Sequence, residues 1–177
     1  YFANFQSINT SFCWSYDNNT FFATRNDEIS NKIVALNTNN GKIKEILSIP
    51  ISQSKKISDL ACSPNKRYIS FISSDIYKLE KGEQIIKEIY IYDIIEKKIK
   101  KLTNTPLPNE SYSKYIKNNY GNFNPQFTPD SSKIVYESNR DGNNEIYVIN
   151  IDGTRLTNLS NSPANDVFPR ICSVPSK

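Results

Sequence analysis

Histidine is absent from all 177 residues. That absence rules out, within this sequence, Ser-His-Asp and Cys-His nucleophile systems, His-ligated zinc and imidazole acid-base catalysis. No Gly-x-Ser-x-Gly elbow and no glycine-rich phosphate loop occur either. Carboxylates, amides, tyrosines, arginines and three cysteines are left to do chemistry. Asp141-Gly142-Asn143-Asn144-Glu145 spaces oxygen donors like an incomplete calcium loop. It lacks the full alternating acidic series and the later Glu, so it predicts a hairpin turn and no metal site. Nothing in the sequence calls for a cofactor, and the expectation is a protein that is not an enzyme.

The cysteines, Cys13, Cys62 and Cys172, are odd in number and unclustered. They do not read as a disulfide framework by themselves, and the expectation is small buried thiols packed beside strands. Leu107 to Tyr120 is a polar stretch carrying Tyr112, Tyr115 and Tyr120. Tyrosine combines ring area with a hydroxyl, so Tyr112 and Tyr115 are candidate partner-contact residues on a loop. Arg25 and Arg140 are read at matching places after a second strand, where a guanidinium fork can tie carbonyls or carboxylates together. Asn-x-Ser/Thr triplets at Asn9, Asn18, Asn109 and Asn158 are what so Asn-rich a chain gives by chance.

Such groups need elements to hold them, and the clearest elements lie between Pro125 and Ser160. Thr128-Pro129-Asp130-Ser131-Ser132 is a turn, because proline presets φ and the Asp and Ser side chains close on their own backbone. Ile134-Val135-Tyr136 then supplies strand formers, and Asp141-Gly142 and Asp152-Gly153 mark tight hairpins. This small antiparallel meander cannot bury its own faces, and the chain repeats it. Trp14 to Ala23 and Cys62 to Phe71 align without gaps to Phe127 to Tyr136. Lys32 to Asn37 and Glu88 to Asp93 match Glu145 to Asn150, and Phe168-Pro169-Arg170-Ile171 begins a fourth copy. Anchors recurring every roughly 45 to 65 residues fit propeller blades of four strands with insertions at turns. The predicted fold is all-β: a β-propeller segment of about three four-stranded blades (8–50, 57–104, 123–161), with 166–177 beginning or closing another, in one domain over 1–177. Residues 76–87 are read as an elongated hairpin within the second blade.

Pro125-x-Phe127-Thr-Pro-Asp, followed by Ile134-Val-Tyr-x-Ser-Asn-Arg-Asp-Gly-Asn and Glu145-Ile-Tyr-Val-Ile-Asn-x-Asp-Gly153, resembles the repeat of TolB-type β-propellers. The first two copies lack the Ser-Asn-Arg-Asp-Gly stretch. The resemblance implies a ring that normally has six blades, of which these copies are about half, with partial rings pairing between chains as a route to completion. It also implies a bacterial envelope setting, periplasmic or extracytoplasmic, and a channel that accepts an extended segment of a partner protein. On a ring, residues entering the first strand of each copy lie near the channel. Asp59, Asn124, Gln126, Asp166 and Arg170 are therefore the candidate partner-binding residues. The rival reading is an accessory propeller of a larger hydrolase or carbohydrate-processing enzyme.

Composition agrees with a β-rich domain: aromatic residues make up 12% of the chain, and no apolar run approaches the ~18 residues of a membrane span. Lysines and arginines exceed acids by 22 to 18, giving +4, without an arginine-rich strip, so nucleic acid is not an expected partner. Lys97, Lys98, Lys100 and Lys101 around Ile99 read as a solvated edge protected against aggregation. The sequence begins at Tyr1 and contains no methionine, so the reading expects a segment upstream, either a signal peptide or earlier blades.

Overall fold

A computed structural model describes residues 11–54, 56–79, 82–108 and 119–172, all without a helix. Among the described residues twelve strands follow one another: β1 Phe12–Trp14, β2 Thr20–Asn26, β3 Ser30–Asn37, β4 Ile43–Pro50, β5 Ile57–Cys62, β6 Tyr68–Leu79, β7 Gly82–Asp93, β8 Lys98–Lys101, β9 Tyr120–Phe127, β10 Lys133–Ser138, β11 Glu145–Asn150 and β12 Thr157–Asn158. They form three antiparallel meanders, β1 to β4, β5 to β8 and β9 to β12. The anchor residues hold equivalent places in them: Trp14 faces Phe21, Cys62 faces Ile69 and Phe127 faces Ile134 across the first hairpin.

That equivalence follows from one turn used three times. Asn18, Lys66 and Ser131, each four residues after its anchor, have φ of 59°, 64° and 60°. In each turn the residue before them accepts backbone N–H bonds on its side-chain oxygen: Asp17 from Asn19, Asn65 from Arg67 and Asp130 from Ser132. An Asp or Asn at that place closes the turn with its own side chain, which lets the next residue take the left-handed conformation.

A strand period of two gives each sheet two faces, and the stacking uses both. Phe22 and Ile33 of the first sheet pack against Leu60, Ile69, Phe71 and Tyr92 of the second. The opposite face of the second sheet, with Ile72, Ile89 and Ile91, packs against Phe127, Ile134, Tyr136, Tyr147 and Ile149 of the third. Two dry layers between three sheets are thus the core.

The described residues of the insertion, 76–79 and 82–87, lie in two long antiparallel strands, with β6 and β7 paired from Tyr68↔Asp93 to Leu79↔Gly82. Its length has a consequence that the repeat does not predict. The early part of β7 reaches the next sheet and pairs in parallel with β9, Ile86↔Tyr120 and Lys87↔Gly121, so the second and third sheets are hydrogen-bonded to each other. Beside this bridge lies a buried polar knot. Glu88, fully buried, accepts from the Thr103 hydroxyl at 2.6 Å, the Thr105 N–H at 2.8 Å, the Thr105 hydroxyl at 2.9 Å and Asn122 Nδ2 at 3.1 Å. So many charge-assisted donors are what allows a carboxylate to sit in the core. Glu145 repeats the device in the third sheet, accepting from the Ser160 hydroxyl and, at 3.0 Å, from the Ser162 N–H.

Three expectations are corrected. Cys13 and Cys62 are not free buried thiols but a disulfide, with Cα atoms 5.7 Å apart, and Cys172 is free and exposed. Their separation of 49 residues hides the fact that stacking sets the first strands of successive sheets side by side. Arg25 and Arg140 do not occupy matching places. Arg25 sits within β2 opposite Lys32, whereas Arg140 lies beyond β10, donates to Asn122 Oδ1 at 2.8 Å and lies 4.8 Å from the Tyr147 ring centroid. Lys101 is not a solvated edge lysine: its ammonium donates to the Tyr77 hydroxyl at 2.7 Å and to Asp75 Oδ2 at 3.0 Å, and lies 3.4 Å from Glu88. Burial works against its charge, but those hydrogen bonds and the Glu88 and Asp75 carboxylates outweigh it and raise its pKa.

Candidate functional site: a cavity along the innermost strands

The first strands of the three sheets, β1, β5 and β9, run next to one another and leave an open cavity of about 750 Å³ between their ends and the turns that follow. Two of these strands carry the same irregularity. Asp59 and Asn124, each three residues ahead of its anchor, have φ of 51° and 50°, and the pairing register slips at both places. These are β-bulges, for which Asp and Asn are suited because their short polar side chains tolerate the left-handed region. Phe168 repeats the conformation, with φ of 57°, three residues ahead of Ile171.

Asp59, Asn124 and Gln126 line the cavity together with Trp14 and Tyr16. Asn124 Nδ2 donates to Glu137 Oε1 at 2.7 Å, and that oxygen also accepts the Phe168 N–H at 2.6 Å. Gln126 Nε2 donates to the Pro169 carbonyl at 2.8 Å. The apolar part of the lining comes from Leu60, Phe127, Ile171, Pro64, Pro125 and Pro129, with the Cys13–Cys62 disulfide among them, and Ser15 and Asn18 add further polar groups. Trp14 and Tyr16 are 53% and 57% exposed at the rim, Trp14 resting edge-on against Phe21 with ring centroids 5.2 Å apart.

The other sequence candidates fall elsewhere. Asp166 and Arg170 are not among the described residues that line this cavity. Asp166 lies where Asn122 lies in the preceding copy, five residues before the anchor. Its N–H donates to the Asn144 carbonyl, while its Oδ2 is buried with no hydrogen-bond partner among the described residues. Arg170 is exposed. Tyr112 and Tyr115 lie outside the described residues. Sequence reasoning missed Trp14, Tyr16 and the disulfide as cavity components, since it used Trp14 only as the anchor of a repeat copy. The available signal was the repeat itself, which places Trp14 beside the bulged strand.

The arrangement offers a ligand apolar surface, two exposed rings and a few fixed polar groups. Asp141 to Glu145 is spent on the fold: Asn143 Nδ2 donates to Glu145 Oε1 and to the Ser162 and Ala164 carbonyls, and the Tyr147 hydroxyl donates to Asp141. Among the described residues no three His, Cys, Asp or Glu side chains gather in a metal-ligating group, and no helix there is long and apolar enough to cross a membrane.

No protein-family model and no curated protein matches the sequence. Solved structures do match. TolB from Acinetobacter baumannii superposes with a TM-score of 0.62 at 17% identity, over 88% of this chain and 33% of its own. A putative TolB from Agrobacterium tumefaciens gives 0.62 at 18% identity, over 88% of this chain and 47% of its own. Porphyromonas gingivalis dipeptidyl peptidase 4 gives 0.52 at 8% identity, over 83% of this chain and 24% of its own. The chain thus spans between a third and a half of the length of the two TolB structures, and at these identities the likeness is one of fold. Three stacked meanders around a shared row of first strands, superposing on TolB, make this a TolB-type β-propeller fold, present over a partial set of blades.

Proposed function

We propose that this chain is a non-catalytic propeller scaffold that holds an extended segment of a protein or peptide partner in the cavity along β1, β5 and β9. The observation that carries this reading is the composition of that cavity. It joins apolar walls and two exposed aromatic rings to a few fixed polar groups, the combination by which a preformed site gains area from rings and orientation from hydrogen bonds. The TolB likeness supports it at the level of fold. The disulfide supports an extracytoplasmic setting, because a bond between cysteines persists in oxidising compartments and is rare where glutathione keeps thiols reduced. The second reading, an accessory propeller of a larger hydrolase, draws on the likeness to dipeptidyl peptidase 4.

Trp14→Ala and Asp59→Asn test the cavity without touching the core, since Trp14 is exposed and Asn suits the left-handed conformation of residue 59. The pair should weaken capture of a partner recovered by pull-down about tenfold or more, with the thermal melt unchanged. Ile95→Ala, at an exposed site on a turn away from the cavity, should leave capture intact. Equal capture by all three proteins would remove the cavity from the proposal.

A further inference from the structure

The polar groups in the cavity are committed in one direction. Asn124 and Gln126 each give an amide N–H to an acceptor that cannot donate, the Glu137 carboxylate and the Pro169 carbonyl. Those partners fix which end of each amide is nitrogen, so the side-chain oxygens Asn124 Oδ1 and Gln126 Oε1 remain as acceptors. The Asp59 carboxylate makes no hydrogen bond or ion pair among the described residues, and Glu137 adds a second carboxylate behind Asn124. Among the described residues no lysine or arginine lines the cavity. Lys87, the cation whose field reaches Asp59, spends its ammonium on Asn119 Oδ1 at 2.8 Å and lies 4.5 Å from the Phe123 ring centroid. Arg170, next to the lining residue Ile171, is exposed and makes no ion pair among the described residues.

Building on the reading of this cavity as a partner site, we infer that the group it takes from the partner is a cationic side chain, arginine in particular. Unfilled acceptors on two neighbouring strands need a ligand rich in donors. A guanidinium brings five N–H groups in one plane and a charge to pair with Asp59, which makes no ion pair among the described residues. Trp14 and Tyr16 at the rim are more than half exposed, and aromatic rings attract a cation by their quadrupoles. A carboxylate in the same place would face Asp59 and Glu137 with no described lining cation beside it. A neutral polar group could satisfy the acceptors but would leave the Asp59 charge unmatched.

Titration of the whole ¹⁵N-labelled chain with capped peptides separates these cases. The probes are acetyl-Gly-Ser-Arg-Ser-Gly-amide and its two variants with citrulline or glutamate in place of arginine. Citrulline keeps the shape and hydrogen-bonding reach of arginine without its charge. The chain has a single tryptophan, so one indole N–H signal reports the cavity rim. The arginine peptide should move that signal with a dissociation constant about tenfold below that of the citrulline peptide, as a charge-assisted contact predicts. Asp59→Asn should lower arginine-peptide affinity toward that of the citrulline peptide and so remove most of the difference. Equal binding of arginine and citrulline peptides, or stronger binding of the glutamate peptide, would overturn the inference while leaving the cavity a peptide site. If no peptide moved the indole signal, the inference and the reading beneath it would fall together.

Discussion

Replacing Cys13 and Cys62 together by alanine, in a Cys172→Ser background that prevents exchange, is expected to lower stability by roughly 4 kcal/mol. The link closes a loop of 49 residues, and the chain-entropy description of such a loop gives about that figure. In a chain of this size the corresponding fall in Tm is about 10 °C. The consequence is concentrated at one place. β1 pairs with β2 through only three residues, so the disulfide and the bond from the Leu60 N–H to Ser11 Oγ at 2.7 Å are what fix it beside β5. Without the link, Trp14 loses its place on the rim and partner capture should fall with stability. Adding reductant to the unaltered protein should reproduce the melt of the double variant, which should itself be indifferent to reductant. A melt unaffected by reductant, with cysteines that react freely with a thiol reagent before unfolding, would show that the bond does not form.

Gly121→Ala should be more damaging than the same change at Gly41, Gly142 or Gly153. Gly121 has φ of 121° and faces Lys87 across the parallel bridge, where an added Cβ would stand 2.2 Å from the Lys87 carbonyl oxygen and 2.7 Å from its nitrogen. Backbone cannot retreat as a flexible side chain does. The bridge, and with it the alignment of Glu88 with Asn122, must shift, at a cost of about 3 kcal/mol or more. Gly142→Ala is the control: its φ is 110° but nothing lies within 4 Å of the added atom, so only the conformational cost of about 1 kcal/mol applies. Chemical denaturation of both variants reads the difference directly. Similar losses for the two would mean that β7 and β9 are not paired as described.

Much of this was visible in the residues because the elements rest on local chemistry. The turns at Asp17, Asn65 and Asp130 are closed by side chains two residues from the N–H they bind, so the three copies align residue for residue. Ile- and Tyr-rich strands at a period of two then fix the faces. The site was less legible, because it depends on how copies stack. Cys13 and Cys62 meet only when β1 and β5 become neighbours. Trp14 holds the place that Phe127 fills in the core, yet it is exposed because no described sheet packs on that face of the first one. Gln126 and Arg170 both stand one residue before an anchor, but only Gln126 lines the cavity. The parallel bridge follows from the length of the β6–β7 hairpin, which carries no mark in the strand pattern saying where its end will land.

The most direct test of the central claim is photo-crosslinking of a partner from defined positions. A benzoylphenylalanine at position 16, on the cavity rim, is compared with one at position 95, on an exposed turn away from the cavity. The account predicts a discrete adduct from position 16 that disappears with Asp59→Asn, and none from position 95. An adduct from position 95 with none from position 16 would contradict it.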